Sequence, residues 1–298
     1  MKQIKYMVVP IKLLLLKLRN FTYFQLCLIF QVMHGIWNGD SVAVKIFLSR
    51  DESSWKRETD IYSLTLLRHE NILGYIGSDF TSLYSCTQMW LVTHYHEYGS
   101  LYDYLNRTDV VIPPKVAHRF ILTTLNGILH LHTEIRGTQG KPGIAHRDIK
   151  SKNVLVRKDG TCVVADFGLA VTHKQATNEL NIPENTRVGT KRYMSPEVLD
   201  FSITQKTTFE AFRRSDMYSF ALLMWEVLRR TEVVQDQPSD SQEDLVMSES
   251  FALPYFEDVG PDPGFDEMKK IVCTDGRRPG VHSRLAGDKV SWNKVLLG

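Results

Sequence analysis

The stretch that decides the fold is HRDIKSKN, residues 146–153. It places a carboxylate at Asp148, an ammonium at Lys150 and a carboxamide at Asn153. Two further motifs follow in order, DFG at 166–168 and SPE at 195–197. Three ordered motifs in one chain indicate a joint chemical purpose rather than unrelated loop residues.

Upstream of this stretch the sequence predicts a small sheet. Apolar and polar residues alternate around Lys45 in residues 41–48, which is typical of a half-buried strand. A lysine there is either a snorkelling surface residue or a charge held for an anionic ligand. Residues 51–71 predict a helix with an apolar face, and strand-like runs follow at 72–77 and 89–95.

Downstream the pattern is mainly helical. The clearest helices are predicted at 116–135 and at the almost wholly apolar stretch 215–230, and short strands flank the KDG turn at 158–160. Strands followed by helices predict an α+β architecture with two lobes, joined near Tyr95–Gly99.

Net charge, cysteine spacing and the apolar N-terminal stretch limit the classes of protein that fit this sequence. A net charge of +2 over 298 residues does not favour a nucleic-acid binder, and the four cysteines lie far apart, as in reduced cytosolic proteins. The N-terminal stretch is basic and apolar, but its longest charge-free run, 20–33, is shorter than the roughly 18–20 apolar residues that span a bilayer. We therefore expect no clear transmembrane helix.

The motifs HRDIKSKN, DFG and SPE, in this order, resemble the protein kinase family. The resemblance implies that Asp148 orients a substrate hydroxyl and accepts its proton, while Lys150 neutralises charge on the transferring phosphoryl group. It also implies that Lys45 holds the α- and β-phosphates of ATP, with Glu58 as its orienting partner.

The same resemblance implies a metal site and a buried support. Asn153 and Asp166 would bind Mg²⁺, with Mn²⁺ as an alternative ion, because both offer hard oxygen ligands. Asp216 would hold the catalytic loop through its backbone amides. His146 and Phe167 are expected to be packing residues rather than chemical groups.

The adenine of ATP would lie between the lobes. By resemblance, Val32 and Ala43 form the roof of its site and Leu155 the floor. Thr93 falls at the gatekeeper position, and His96 lies in the hinge, whose backbone would bind the adenine edge.

Longer segments resemble one kinase group, the type I receptors of the TGF-β/activin/BMP family, which are serine/threonine kinases. The similarity covers about residues 31–235 and resumes at 253–273, and it is most evident in VAVKIFLSRDESSWKRETDIY (42–62), LVTHYHEYGSLYDYL (91–105) and RVGTKRYMSPEVLD (187–200). The segment SDFTSLYSCTQ (78–88) sits where that family reads its Smad substrate and is most similar to the BMP or activin-receptor-like subgroup. The resemblance implies Smad-like substrates, a type II receptor kinase as partner, and a place at the cytoplasmic face of the plasma membrane. The chain alone is expected to be cytoplasmic or membrane-peripheral.

The glycine-rich loop of the family is where this sequence departs most. Counted back from Lys45, the three glycine positions hold Gln25, Cys27 and Phe30. Glycine lets the backbone approach phosphate oxygens without a side-chain clash. A phenylalanine at the third position is therefore expected to obstruct that approach.

These observations predict a domain organisation. We expect an unrelated basic and apolar extension at 1–31, a partial N-lobe at 32–95, and a truncated C-lobe at 96–298 with an acidic insertion near 236–250. The kinase-like fold is expected to be incomplete at the glycine-rich loop and at its C-terminal helices. Glu197 is then expected to be a buried carboxylate without its usual arginine partner.

Three functions remain open from sequence. The first is a receptor-type serine/threonine kinase that phosphorylates Smad-like proteins with ATP. The second is a catalytically impaired kinase-like module that docks type II receptors or Smads. The third is a chain that does not fold stably and has no activity of its own.

Overall fold

Strands come first along the chain and helices afterwards, so the expected α+β class with a sheet-rich and a helical lobe is confirmed. The computed structural model describes residues 19–26, 31–83, 86–108, 111–177, 179–182, 188–204, 208–232 and 249–280. The strands are β1 (Arg19–Leu26), β2 (Gln31–Trp37), β3 (Asp40–Leu48), β4 (Tyr75–Leu83), β5 (Cys86–His94), β6 (Gly143–Ala145), β7 (Val154–Val156), β8 (Cys162–Val164), β9 (Val171–Lys174) and β10 (Glu179–Asn181). The helices are α1 (Glu52–Tyr62), α2 (Leu101–Leu105), α3 (Pro114–His132), α4 (Pro196–Leu199), α5 (Phe209–Arg229) and α6 (Phe265–Lys269), and α6 continues into a π-helical turn at Lys270–Thr274.

The N-lobe is a five-stranded antiparallel sheet in the order β1-β2-β3-β5-β4. Alternation along β3 buries Val42, Val44 and Ile46 in one cluster with Trp90 and Val92 of β5. The opposite face of β3 carries Lys45 and Phe47, and Phe47 packs in the main core with residues of α1. The pattern of β3 therefore directs Lys45 toward α1.

The helix expected over 51–71 is wrong beyond Tyr62. α1 ends there, Leu64 has an extended backbone with ψ of 118°, and a short 3₁₀ turn follows at Thr65–Leu67. Leu67 remains buried at 2 % exposure. The apolar periodicity therefore predicted the burial of Leu67 correctly. Leu67 lies, however, in a turn that leads the chain toward β4 and not in a helix.

The strands expected at 72–77 and 89–95 are also wrong in their bounds. β4 and β5 pair along a hairpin from Tyr75 opposite Thr93 to Leu83 opposite Cys86. Most of segment 78–88 is therefore strand rather than loop. Its first part, on β4, lies at the edge of the sheet, where even the apolar side chain of Phe80 is 64 % exposed.

The C-lobe is organised around α5. Its inward residues Phe220, Leu223 and Val227 share one core with Phe120, Ile128 and Leu131 of α3. The predicted helices at 116–135 and 215–230 are confirmed, with boundaries moved to Pro114–His132 and Phe209–Arg229. Residues 146–153 follow β6 directly, and Ile149 among them belongs to this core.

The segment set apart as an extension, 1–31, includes β1, whose backbone pairs with β2. Most of the acidic insertion near 236–250 lies outside the described residues. In the part of the chain that the structure describes, no helix is both long enough and apolar enough to cross a bilayer.

A capping box begins α2 directly after the hinge. The Ser100 hydroxyl accepts the Asp103 N–H at 3.1 Å, and the Asp103 carboxylate accepts the Ser100 N–H at 3.2 Å. We expect Ser100→Ala to lower the free energy of unfolding by about 1 kcal/mol, measured by urea denaturation. Ser53→Ala, at an exposed position of α1, is the control and is expected to cause no loss; equal losses in both variants would contradict the capping role.

Candidate active site

Lys45 lies between two carboxylates from different elements. Its Nζ donates to Glu58 Oε2 of α1 at 2.9 Å and to Asp166 Oδ1, after β8, at 3.0 Å. The Glu58 side chain is 2 % exposed, whereas that of Asp166 keeps 35 % of its surface. The structure therefore brings together three of the residues singled out in the sequence, with Asp166 on the open side.

The charges of this group are strongly coupled. Burial alone would lower the pKa of Lys45, but Asp166 and Glu58 raise it above its ordinary value. Burial raises the pKa of Glu58 to about 7, although Lys45 opposes the shift. Burial also opposes ionisation of Asp166, yet Lys45 holds its pKa below the ordinary value. One ammonium thus faces two carboxylates, an excess of negative charge that a cation would reduce.

Asp148, in the loop 146–153, is held by hydrogen bonds to both of its carboxylate oxygens. Its Oδ2 accepts from Lys150 Nζ at 2.7 Å and from Asn153 Nδ2 at 3.0 Å. Its Oδ1 accepts both the backbone N–H and the hydroxyl of Thr190 at 2.8 Å. These four donors fix the carboxylate in one orientation, at a side-chain exposure of 9 %.

Thr190 is a residue that sequence reasoning missed. Its hydroxyl donates to Asp148 and accepts from Lys150 Nζ at 2.6 Å, so it connects both residues to the segment before SPE. The neighbouring Gly189 has a φ of +115°, and a Cβ there would lie 2.6 Å from the Arg147 carbonyl oxygen. The Gly-Thr pair in RVGTKRYMSPE was the available signal.

The residues expected to bind metal lie next to each other. The Ala165 N–H donates to the Asn153 carbonyl at 2.9 Å. Because Asp166 directly follows Ala165 in the chain, this bond brings the backbone of Asn153 close to Asp166. The Asn153 amide nitrogen is turned to the carbonyl and carboxylate of Asp148, so its amide oxygen is the atom that remains for a cation. With the Asp166 carboxylate, this gives two hard oxygen ligands, a donor set that fits Mg²⁺.

Asp216 of α5 holds the backbone at the start of the loop 146–153. Its carboxylate accepts the backbone N–H groups of His146 and Arg147, each at 2.7 Å, and an Nε2–H from His132 at 2.8 Å. Arg147 has a φ of +70°, a strained conformation that these bonds help to maintain. The backbone contact expected for Asp216 is confirmed.

His146 and Phe167 are packing residues, as expected. Both are fully buried, and their rings meet edge to face at a centroid distance of 5.6 Å. The Phe167 ring also contacts Tyr62 of α1 at 4.9 Å. This contact joins the DFG segment to the helix that carries Glu58.

The residues expected around adenine lie on β2, β3, β5, β7 and the hinge. Val32 is opposite Lys45, and Ala43 is opposite Thr93, in neighbouring strand pairs. Leu155 packs against the small cluster that contains Leu73, Val163 and Ala165. Cross-strand pairing puts Val32, which is 37 % exposed, Ala43 and Thr93 on the sheet face that carries Lys45. A common role of these residues with Leu155 and His96 around adenine stays a prediction.

The pKa of His96, which is expected in the hinge, lies below its ordinary value. Burial lowers the pKa of His96 to about 4, and Arg157 and His94 add to the shift. A neutral imidazole at this position is compatible with an uncharged ligand edge.

The sequence predicted departures from the family pattern at the glycine-rich loop and at Glu197, and the two predictions have different outcomes. Gln25 lies on the backbone of β1, while Cys27 and Phe30 lie outside the described residues, so the obstruction by Phe30 stays a prediction. The expectation of a buried Glu197 is wrong, because this side chain is exposed in the first turn of α4. A carboxylate there is solvated and faces the positive end of a helix, so it needs no buried partner.

Comparison with known proteins agrees with the geometry. Residues 29–274 match the family model described as "Protein kinase domain". Human activin receptor type-1 is 51 % identical over 261 residues, which are 87 % of this chain and 48 % of the receptor. Human activin receptor type-1-like is 52 % identical over 260 residues, which are 87 % of this chain and 49 % of that receptor. The chain spans about half the length of the curated relatives it matches.

Proposed function

Because this chain belongs to the protein kinase family and to its type I receptor group, we propose that it transfers the γ-phosphoryl group of ATP to serine hydroxyls. The observation that carries the proposal is a pair of hydrogen-bond networks. One connects Lys45 with Glu58 and Asp166, and the other connects Asp148 with Lys150 and Thr190. Together they supply a phosphate-binding cation and a fixed carboxylate.

In this mechanism the residues mainly position ATP and the serine hydroxyl and neutralise the charge of the phosphates. Lys45 binds the α- and β-phosphates and is kept in place by Glu58. Asp148 orients the serine hydroxyl and takes its proton while the serine oxygen bonds to the γ-phosphorus and the bond to the β-phosphate oxygen breaks. Lys150 neutralises charge on the phosphoryl group during transfer, and ADP leaves.

A divalent cation fits beside Asp166. The Asp166 carboxylate and the Asn153 amide oxygen would hold Mg²⁺, or Mn²⁺, and the ion would supply charge neutralisation for the phosphates. This assignment is supported by the unequal charge of the Lys45 group, in which two carboxylates face one ammonium.

The substrates and partners are proposed from the receptor relatives. We assign Smad-like proteins as substrates and a type II receptor kinase as the activating partner, at the cytoplasmic face of the plasma membrane. The support is the similarity to activin receptor type-1 over most of this chain, together with segment 78–88, which lies on the β4–β5 hairpin.

A second candidate is a kinase-like docking module that transfers phosphate poorly. The observation that favours it is the sequence Gln25, Cys27 and Phe30 at the three glycine positions. Such a module would keep the fold and the protein contacts but hold ATP weakly.

One experiment separates these candidates. The purified chain is heated with and without Mg-ATP and then incubated with a Smad protein and labelled ATP. We expect a cooperative transition that Mg-ATP shifts upward, and phosphate incorporation into serine. An unshifted transition without incorporation favours the docking module, and the absence of any transition contradicts both functions.

A further inference from the structure

A buried lysine that the proposed chemistry does not use lies at the end of α3. Lys141 is 1 % exposed. Its Nζ donates to the carbonyl oxygens of Leu131 at 3.0 Å, Thr133 at 2.6 Å and Pro142 at 3.0 Å. An ammonium group has three N–H donors and no acceptor. Every donor of Lys141 therefore has a backbone acceptor, and among the described residues no carboxylate forms an ion pair with it.

The ammonium of Lys141 satisfies the end of a helix. α3 ends at His132, and the carbonyl groups in the last turn of a helix have no partner within that helix. A cation placed there also interacts favourably with the helix dipole. Because Leu131 precedes His132 and Thr133 follows it, the two bonds hold the backbone on both sides of His132.

His132 connects this helix end to the loop 146–153. Its Nε2–H donates to the Asp216 carboxylate at 2.8 Å. The same carboxylate accepts the backbone N–H groups of His146 and Arg147, each at 2.7 Å. A hydrogen bond weakens when the donor–acceptor distance changes by some tenths of an ångström. The backbone of His132 must therefore keep its position for the imidazole to reach Asp216.

The backbone of Lys141 is held independently of its side chain. The Ile135 N–H donates to the Lys141 carbonyl, and the Lys141 N–H donates to the Ile135 carbonyl, both at 2.8 Å. β6 begins two residues later at Gly143, where a Cβ would lie 3.3 Å from the His132 carbonyl oxygen. β6 therefore packs closely against the end of α3, and we expect a substitution of the Lys141 side chain to leave these backbone contacts in place.

We propose that Lys141 is a positioning residue, whose ammonium fixes the end of α3 so that His132 and Asp216 keep the loop of the proposed base in place. The inference rests on the proposed phosphoryl transfer and deepens it. Lys141 itself contacts neither ATP nor the serine substrate, because only 1 % of its surface is exposed. Its effect on the rate is transmitted through the two backbone N–H groups that Asp216 accepts, directly before Asp148.

The charge of Lys141 titrates in mildly alkaline solution. Burial lowers its pKa to about 8, although the Glu134 carboxylate opposes the shift. The titratable groups connected with it are Glu134, His130 and His132 of α3 and, through His132, Asp216 of α5. A neutral amine has two N–H donors and a lone pair, so one of the three carbonyls would lose its bond. The rate of phosphoryl transfer should therefore fall as the pH rises above about 8.

The stability of the fold should change in the opposite direction. The ordinary pKa of a lysine is 10.5, so the unfolded chain binds this proton more tightly than the folded chain does. Between pH values of about 8 and 10.5, the titration of Lys141 therefore increases the free energy of unfolding. A fall of the rate in this range then reports the placement of the loop rather than unfolding.

The test compares Lys141→Met with Lys115→Met, an exposed position in the first turn of α3. Methionine has a similar length but no N–H donor. Below the thermal transition and at about pH 7, we expect Lys141→Met to lower kcat for phosphate incorporation into a Smad protein about tenfold, the loss of one hydrogen bond to a charged group. KM for ATP should not change, because Lys45 and Asp166 keep their contacts. Lys115→Met should have the wild-type rate.

Two further measurements show whether the ammonium acts, and whether it acts through His132. The ratio of the wild-type rate to the Lys141→Met rate should fall toward one as the pH rises to about 9.5, since the wild type then loses its own ammonium. In a His132→Gln background, Lys141→Met should change the rate by less than about twofold, because substitutions within one hydrogen-bond network are not additive. A ratio that does not depend on pH, or effects of the two substitutions that add in full, overturns the inference.

The inference can also be tested without the variant and without activity. If Lys141→Met does not fold, a wild-type rate that fails to fall above about pH 8 overturns the inference. If the wild type transfers no phosphate, the proposed function fails, and the backbone amide groups of residues 146–148 are followed by hydrogen exchange instead. After correction for the intrinsic effect of pH, they should exchange faster at about pH 9.5 than at about pH 7. Equal exchange at both pH values overturns the inference.

Discussion

Replacing Asp148 by asparagine is expected to lower phosphate transfer at least about a hundredfold, the usual contribution of a positioned base. Asparagine cannot take the serine proton. Its amide nitrogen would also face donors, because the carboxylate of Asp148 accepts from Lys150, Asn153 and Thr190. The measurement is phosphate incorporation into a Smad substrate at saturating Mg-ATP.

Two comparisons make the Asp148→Asn result specific. Asp159→Asn, in the exposed turn between β7 and β8, is the matched control and should retain the wild-type rate. The upward shift of the thermal transition by Mg-ATP should persist in Asp148→Asn, since Lys45 and Asp166 are unchanged. Wild-type turnover in Asp148→Asn would exclude Asp148 as the base.

Replacing Lys45 by methionine is expected to have the largest combined effect. Its removal leaves Glu58, which is buried, and Asp166 without the shared ammonium. Loss of one partner of a buried ion pair costs about 3–5 kcal/mol. Phosphate incorporation should fall to background, and the Mg-ATP shift of the thermal transition should disappear.

The stability loss in Lys45→Met should depend on pH. With the ammonium gone, the two carboxylates repel each other and the pKa of Glu58 rises further above its ordinary value. A raised carboxyl pKa gives stability at low pH that is lost as pH rises. The difference from the wild type should therefore be larger at pH 8 than at pH 6.

Lys56→Met serves as the control, because Lys56 is exposed on the helix that carries Glu58. It should unfold like the wild type and keep its activity. A Lys45→Met variant as stable and as active as Lys56→Met would show that the ion pairs do not hold the site together.

The sequence could predict the candidate site residues because their identity and order are local information. HRDIKSKN and DFG lie within short stretches, and the alternation around Lys45 fixes which face of β3 it occupies. From these patterns the α+β class could be predicted, whereas the contacts of Asp216 and the burial of His146 and Phe167 were predicted from the family resemblance. Glu58 was predicted by resemblance, and its 2.9 Å contact with Lys45 is now a structural fact.

The tertiary structure decided the features that depend on contacts between residues far apart in the chain. α1 ends at Tyr62 because the chain turns toward the edge of the sheet, and the β4–β5 hairpin is long because each strand supplies hydrogen bonds for the other. Glu197 is exposed because α4 lies at the surface, which no local pattern revealed.

The sequence by itself therefore determined the protein family, and with it the residues that are proposed to carry the chemistry. Only the tertiary structure decided that Thr190 contacts Asp148, and that His132 contacts Asp216. The physical reason is that a hydrogen bond is made or lost when the donor–acceptor distance changes by some tenths of an ångström. In these contacts the donor and the acceptor belong to residues far apart in the chain. Such distances are set by the packing of α5 against the catalytic loop, not by the residues on either side of each group.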